Sequence, residues 1–261
     1  MFSKEKRCQY KNNQLADVIC QLRFPEILTI DANPPASFQE EIRSLFPQYT
    51  VTMEAVAPTI QGMPGNLRIQ NQPATKNYQF SSADGIWRVN LTSKFISLST
   101  NHYTVWEEFA KMLDKPLAAF ISVYKPAYFE RIGLRYLNFI SREALGLEDT
   151  PFRDMINPTY LGLLNDDEIS EKIAIRSGVD AELALPGGAH LKLHAGPGFV
   201  KQNGVQQKEV KFILDQDLYI SGNVPVNYSA GALQTLHSHA YPVFRAAITD
   251  LLHNAMGPTS I

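Results

Sequence analysis

Hydrophobic and polar residues alternate with a period of two through residues 16–24. One side of this pattern is apolar and consists of Val18, Cys20, Leu22 and Phe24. Such alternation is typical of a β-strand with one buried face, and Pro25 would end it. The apolar residues of the next segment, 36–46, recur at helical spacing, which predicts a short helix that stops at Pro47.

A β-rich stretch follows, and a long amphipathic helix closes the first half of the chain. Strands are predicted at 49–56, 78–81, 86–91 and 95–99, and a loop is predicted at 61–73. Apolar residues at helical spacing follow Thr104, which together with Glu107 has the spacing of a capping box. Pro116 lies inside this helical pattern, so we expect a kink or a split there.

The second half of the chain repeats this order of elements. An alternating pattern opens it at 128–140, further strands are predicted at 172–185, 190–194 and 209–221, and a turn is predicted at 196–198. A helical pattern over 231–254 closes this half. The order strand, helix, several strands and long helix therefore occurs twice.

Two details register the halves against each other. The Leu-Arg-aromatic triplet at 22–24 recurs at 134–136, and Pro116 interrupts the first closing helix as Pro242 interrupts the second. Each match alone is weak, but both occur in the same order. They favour a duplicated unit.

The fold class predicted from these patterns is α+β. Two pseudo-repeats of β-α-β(3-4)-α, at 14–126 and 127–257, would form one compact unit over 1–261. Their strands would build an antiparallel sheet with long helices on one face, because antiparallel sheets tolerate one free face. The element order is similar to that of TATA-binding-protein-like or helix-grip folds, and such a likeness carries no function with it.

Composition narrows the functional classes. The formal net charge of −2 disfavours general nucleic-acid binding, which relies on a positive field. Only two cysteines occur, Cys8 and Cys20, which is too few for a disulfide framework, and we expect Cys20 to be buried. Residues 1–13 do not resemble a secretory signal, and no stretch is apolar and long enough to span a membrane. We therefore expect a cytoplasmic protein that is not a membrane protein.

The strand at 128–140 carries the strongest candidate site. Arg131, Gly133 and Arg135 share one face of it, and Arg23 in the first opening strand matches Arg135 if the repeat is real. Guanidinium groups grip phosphate or carboxylate, and a glycine within a strand often marks the close approach of a ligand or another chain. This set therefore predicts a site for an anionic ligand or a protein partner.

The alternative is that these arginines form ordinary salt bridges within the sheet. Their partners would be acids on neighbouring strands, for which Glu130, Glu182 and Asp180 are the candidates. The sequence leaves both readings open.

Other residues suggest structural roles. Tyr136 and Asn138 share the opposite, apolar face of the same strand, where a buried Asn must find hydrogen-bond partners, so we interpret both as structural. His190 and His194 lie about 13 Å apart along a strand, which is too far to share one metal ion readily. No nucleophile elbow, phosphate-binding loop or dinucleotide fingerprint occurs, so we expect no cofactor and no metal.

The segment 129–138, with the sequence FERIGLRYLN, resembles a sporadically distributed bacterial family of unknown function that is marked by an Arg-x-Gly-x-Arg-Tyr-x-Asn signature. The likeness extends to 18–25, to 38–49 and to the Tyr-x-x-Trp-x-x-Phe pattern at 103–109. The family supplies no reaction or substrate. Its patchy distribution implies carriage on mobile or defence-related loci, phage defence among them.

Three functions follow as hypotheses. The leading one is a non-enzymatic binding or regulatory protein that uses its arginine-bearing sheet face for an anionic ligand or a protein partner, including a second copy of itself. The second is a small-ligand pocket between the sheet and the closing helices, as in helix-grip proteins. The third is nucleic-acid binding across the sheet face.

Overall fold

The computed structural model of the protein describes residues 2–54, 59–61, 68–70, 74–202 and 204–260. Its strands, in chain order, are β1 Cys8–Tyr10, β2 Leu15–Arg23, β3 Gln48–Glu54, β4 Thr59–Gln61, β5 Arg68–Gln70, β6 Thr75–Ser81, β7 Trp87–Leu91, β8 Phe95–Thr100, β9 Phe129–Ile140, β10 Val179–Ala184, β11 His190–Gln202, β12 Val205–Val224 and β13 Pro258–Ser260. Its α-helices are α1 Leu28–Ala32, α2 Ala36–Ile42, α3 Trp106–Tyr124, α4 Arg142–Leu145, α5 Phe152–Met155, α6 Ser229–Ala247 and α7 Asp250–Ala255.

Nine of these strands form one large antiparallel sheet, so the predicted α+β class is confirmed. The strand order is β10-β11-β12-β9-β2-β8-β7-β6-β3, and every neighbouring pair is antiparallel. The two predicted opening strands, β2 and β9, lie side by side within it, with Arg23 directly opposite Arg131 and Ile19 directly opposite Arg135. Two small ribbons, β1 with β13 and β4 with β5, stand apart from this sheet.

The two long helices, α3 and α6, contact the same face of the sheet. Phe24, directly after β2, packs against Phe120 of α3 with 4.6 Å between ring centroids. On the neighbouring strand β9, the Tyr136 hydroxyl lies 3.2 Å from His237 of α6. The buried side of the period-two pattern therefore faces the helices, and burial of its aromatic and branched side chains supplies the core.

The prolines inside the long helices do not divide them. The helix α3 runs unbroken through Pro116, which is buried, so packing of its ring offsets the missing backbone hydrogen bond. The predicted capping box at its start does not form either. The helix begins at Trp106, and the Thr104 hydroxyl donates to Glu108 instead of capping the backbone.

The closing helix, predicted as one element over 231–254, is two helices that meet at Ile248. Asn157 donates its side-chain amide to the Ile248 carbonyl at 3.0 Å and to the Ala246 carbonyl at 2.8 Å, which satisfies backbone groups exposed by the break. The Thr249 hydroxyl then caps α7 by accepting from the backbone N–H of Leu252. The break is thus set by long-range contacts that helical periodicity does not report.

Strand boundaries in the second half also differ from the prediction. The turn predicted at 196–198 lies inside β11, past the point where β10 stops pairing with it. Pro197 is tolerated where one edge of the strand has no neighbour, and a side chain at Gly196 would collide with the Ser177 carbonyl, 2.6 Å from an added Cβ. The predicted strand at 172–185 shortens to β10.

Some predictions reach residues outside the described ranges. Residues 55 and 56 of the strand predicted at 49–56 lie there, as do 62–67 and 71–73 of the predicted loop. The rest of that loop region pairs as the β4–β5 ribbon. None of the described helices is long and apolar enough to cross a membrane.

Candidate functional site

The arginine-bearing face lies opposite the helix layer. Arg131 donates through Nη2 to both carboxylate oxygens of Asp217 on β12, at 2.7 and 2.8 Å. The guanidinium carbon of Arg131 also lies 4.6 Å from the centre of the Tyr219 ring. The contact of Nη2 with both carboxylate oxygens and the ring contact together hold Arg131 against the sheet.

Gly133 makes that arrangement possible. A Cβ added to Gly133 would lie 2.2 Å from Nη1 of Arg131. The bare backbone at Gly133 was expected to admit a ligand or another chain, but the side chain of Arg131 itself covers it. The absence of a side chain at Gly133 therefore serves an internal contact.

Arg135 and Arg23 differ in their surroundings. Arg135 pairs with Asp215 on β12, its Nε donating at 2.8 Å. Arg23 is exposed and forms no ion pair with the residues that the structure describes. Two of the three matched arginines are thus satisfied within the sheet.

The acids that pair with these arginines are not the ones considered from the sequence. Glu130, Glu182 and Asp180 do not form ion pairs with them in the described part of the chain. Strand β12 lies between β9 and β11, so it places Asp215 and Asp217 beside Arg135 and Arg131 while β10 lies two strands farther out. Glu182 instead accepts from the Tyr219 hydroxyl, and Asp180 contacts His194 at 2.8 Å.

A cavity of about 100 Å³ lies on the helix side of the same strands. Its floor comes from β9 and β12, one wall from α6 and the start of α3, and the remainder from residues 7–13 near the N-terminus. Six aromatic side chains line it: Tyr10, Tyr103, Trp106, Tyr136, Tyr241 and Phe244. A partly open, largely aromatic concavity with a few polar groups is what small-molecule sites have in common.

Gln216 is the outstanding polar group at this cavity. It belongs to β12, directly opposite Tyr136 of β9, and only 1% of it is exposed. Neither its amide nitrogen nor its amide oxygen has a hydrogen-bond partner among the described residues. A buried group left unsatisfied costs about 1–3 kcal/mol, so a partner from outside the described residues is expected for Gln216.

A chain of polar contacts runs along the wall that α6 and the start of α3 form. The Arg7 guanidinium lies 2.5 Å from Nε2 of His237 and donates to Glu107 at 2.9 Å. Because arginine has no acceptor, Nε2 must be unprotonated, so Nδ1 carries the ring proton and donates to the Tyr136 hydroxyl. Trp106 stacks on the His237 ring, 4.5 Å between centroids and 8° from parallel.

The protonation states in this wall follow from burial. Desolvation, reinforced by the Arg7 charge, lowers the pKa of His237 to about 4. Burial also raises the pKa of Tyr103 to about 12 and holds the pKa of Tyr136 well above its usual value. Near neutral pH these three side chains are therefore uncharged, and among the described residues Arg7 is the only one lining the cavity that carries a formal charge.

The residues interpreted as structural, Tyr136 and Asn138, both line this cavity. Asn138 is buried and donates to the Leu214 carbonyl of the adjacent strand at 3.3 Å, so it does tie backbone in place. Its partner is the backbone of a neighbouring strand. Tyr136 contributes its hydroxyl to the His237 contact.

Sequence reasoning missed Gln216, His237 as a pocket residue, and Arg7. A signal for Gln216 was present, since it occupies the apolar side of a period-two pattern formed by Phe212, Leu214, Gln216, Leu218 and Ile220. No such signal exists for Arg7, because its contact with His237 spans 230 positions. The histidines lie in separate places, and the described residues contain no group of three or more His, Cys, Asp or Glu side chains placed to hold a metal ion.

Comparisons with known proteins add no identification. A scan against protein-family models finds no match to the chain, and a search of curated proteins finds none either. The resemblance to a sporadically distributed bacterial family stays a prediction. Any functional assignment therefore depends on the geometry of the site.

Proposed function

We propose that this protein binds a small ligand in the cavity between its sheet and α6. The observation that carries the proposal is Gln216, a buried amide whose nitrogen and oxygen both lack a partner among the described residues. Buried polar groups in native proteins are almost always hydrogen-bonded, and exceptions concentrate at functional sites. A ligand that completes the bonds of Gln216 accounts for its position.

The size of the cavity supports recognition of a small group. The cavity of about 100 Å³ is smaller than the cavity of about 150 Å³ that encloses benzene, but it is partly open, so it suits a small flat group or the end of a larger molecule. The aromatic lining suits a flat apolar surface. This corresponds to the helix-grip hypothesis drawn from the sequence.

The polar contacts favour binding over catalysis. Both ring nitrogens of His237 are engaged, one by Arg7 and the other by Tyr136, so neither is presented to a substrate as a general base. Cys8, at the rim, contacts the Tyr241 hydroxyl at 3.4 Å. A non-enzymatic binding or regulatory role fits these arrangements best.

Native mass spectrometry tests the proposal. We expect the purified protein to carry a small-molecule mass that denaturation releases and that Gln216→Met removes. The proposal fails if the native and denatured masses agree and no compound in a fragment library raises the melting temperature.

We also propose that the two halves are structural repeats. Each opening strand, β2 and β9, is flanked by the last strand of its own half, β8 and β12, and the earlier strands follow outward in reverse order. That arrangement supports the saddle of TATA-binding-protein-like folds. A superposition of 14–126 on 127–257 that pairs Arg23 with Arg135 tests it.

The arginine face is a second candidate site, favoured by one observation. Arg23 is exposed, lies directly opposite Arg131, and has no counter-ion among the described residues. Asp217 already neutralises Arg131, so Arg23 is the uncompensated positive charge of this pair and can attract an anion. We expect Arg23→Ala to weaken binding to polyglutamate, measured by fluorescence anisotropy at low salt, while Arg43→Ala, directly after α2, leaves it unchanged. Equal effects of both variants would remove this candidate.

The cellular setting remains a proposal as well. A regulatory protein of the bacterial cytoplasm, carried on a mobile or defence-related locus, is consistent with the sequence resemblance. Self-association or a protein partner would use the same exposed sheet face. Nucleic-acid binding there is disfavoured by the net charge of −2.

A further inference from the structure

We propose that the cavity recognises a neutral planar ring that offers a hydrogen-bond donor and an acceptor side by side, as the lactam or amidine edge of a nucleobase does. This inference rests on the proposed function and specifies its ligand. Three independent features of the cavity support it: the free amide of Gln216, the balance of charge, and the aromatic walls.

The amide of Gln216 determines the hydrogen-bonding pattern. A primary amide presents an acceptor oxygen and a donor NH₂ group on one planar unit. Both atoms are buried and have no partner among the described residues, so a ligand must displace the side chains packed around them; one that offers a donor and an acceptor at the same spacing then satisfies both atoms at once. Glutamine forms this bidentate pair with the edge of adenine in nucleic-acid recognition. A ligand with a single polar atom would leave half of the amide unsatisfied.

The charges around the cavity exclude a strongly ionic ligand at its floor. Within the part of the chain that the structure describes, Arg7 is the only formally charged lining residue, and its guanidinium is already shared between Glu107 and His237. A carboxylate or ammonium group beside Gln216 would lose its hydration without gaining an opposite charge, which costs far more than a neutral group loses.

The walls select a flat ring. Tyr103 and Tyr136 meet edge to face with 5.7 Å between centroids, and Trp106 lies beside them with His237 stacked on it. These rings hold one another in place and leave a narrow space of about 100 Å³. A rigid ring loses little conformational entropy on entering such a space, whereas a flexible chain would lose more.

The ring could be a free heterocycle or the base of a nucleoside or nucleotide, and both share the same edge. The experiment uses the full chain and isothermal titration calorimetry with uracil, adenine and benzamide, their N-methylated forms, and the matching nucleosides and nucleotides. We expect at least one unmethylated ring to bind, and N-methylation of its edge to weaken binding by about tenfold or more, which is the loss of one good hydrogen bond. Nucleosides that bind as tightly as free bases identify the larger source, and weaker ones identify the free ring.

Two variants locate the effect. Gln216→Met should abolish the discrimination between each ring and its methylated form. Gln21→Met, at a half-buried glutamine on the opposite face of β2 and away from the cavity, should retain it. Equal loss in both variants would overturn the assignment to Gln216.

Other results separate this inference from the proposed function. Equal binding of methylated and unmethylated rings, or of toluene, would show a purely apolar site and overturn the inference alone. Tighter binding of benzoate than of benzamide, lost in Arg7→Met, would show an anionic ligand and also overturn it. If none of these compounds binds at its solubility limit, the inference and the proposed function both fail.

Discussion

Replacing Gln216 by methionine should make the protein more stable while it abolishes ligand binding. Methionine has nearly the same length and flexibility as glutamine, so the change removes two buried polar atoms and keeps the packing. A core substitution usually destabilises a protein. The opposite sign is expected here because the wild-type amide is buried, 1% exposed, with no partner among the described residues.

The magnitude follows from the cost of an unsatisfied group. Removing such a group returns about 1–3 kcal/mol to the free energy of unfolding. For a chain of this size each kcal/mol corresponds to about 2–4 °C in melting temperature. A rise of several degrees is therefore expected, which is well within the range of scanning calorimetry.

Gln14 provides the matched control. It is also a buried glutamine, but its amide donates to the Asn12 carbonyl at 3.1 Å and its oxygen accepts from the Ser141 backbone N–H at 2.9 Å. Gln14→Met breaks both bonds and leaves the Ser141 donor without this partner, so it should lower the free energy of unfolding by about 1–3 kcal/mol.

The assay is urea unfolding of the ligand-free wild type and both variants, with scanning calorimetry as a second measurement. Opposite signs for Gln216→Met and Gln14→Met support the reasoning. A loss of stability in Gln216→Met as large as that in Gln14→Met would refute it, because the amide of Gln216 would then be satisfied in the ligand-free protein. Such a result would also remove the main support for the proposed site.

Three further outcomes are expected. In a double-mutant cycle, Gly133→Ala should lower the free energy of unfolding by about 1 kcal/mol more when Arg131 is present than in an Arg131→Ala background. The reason is that the new Cβ displaces the guanidinium from its salt bridge and ring contact. Additive effects of the two substitutions would contradict this. Lowering the pH from about 6.5 to about 4 should reduce the free energy of unfolding of the wild type, relative to His237→Phe, by up to about 1.4 kcal/mol per pH unit. The reason is that the pKa of His237 is lowered to about 4 in the folded protein, so over this range the unfolded chain binds a proton that the folded chain does not. Urea midpoints that shift in parallel for the two proteins would contradict it. A thiol reagent should modify Cys8 well before Cys20, which is fully buried and has its pKa raised to about 12; simultaneous labelling in the native state would contradict this.

Much of the local structure was predictable because period-two alternation reports directly which side of a strand is buried. In β2 and β9 the residues assigned to the apolar face are buried against the helices, and Arg131 and Arg135 lie on the other face as expected. The long helices were located by their 3.6-residue periodicity. Their ends and breaks were not, because the end of α6 depends on Asn157, about 90 positions away in the sequence.

The candidate site was only partly predictable. Arg131, Gly133 and Arg135 were recognised as a set, but the sequence could not say whether a ligand or an acid neutralises them. That depends on β12 lying next to β9, which brings Asp217 and Asp215 within reach. Strand order is a long-range property, and no local pattern encodes it.

The sequence by itself determined the composition of each strand face, the approximate positions of the helices and the α+β class, since these follow from local periodicity and side-chain hydrophobicity. Only the tertiary structure decided what those faces do. It placed the side chain of Arg131 over the bare backbone at Gly133. It also brought Arg7, His237 and Gln216 around one cavity, although Arg7 is more than 200 positions from each of the other two in the sequence. The physical reason is that a polar residue on an apolar face can be read from the chain, but whether it finds a hydrogen-bond partner depends on which strands and helices surround it.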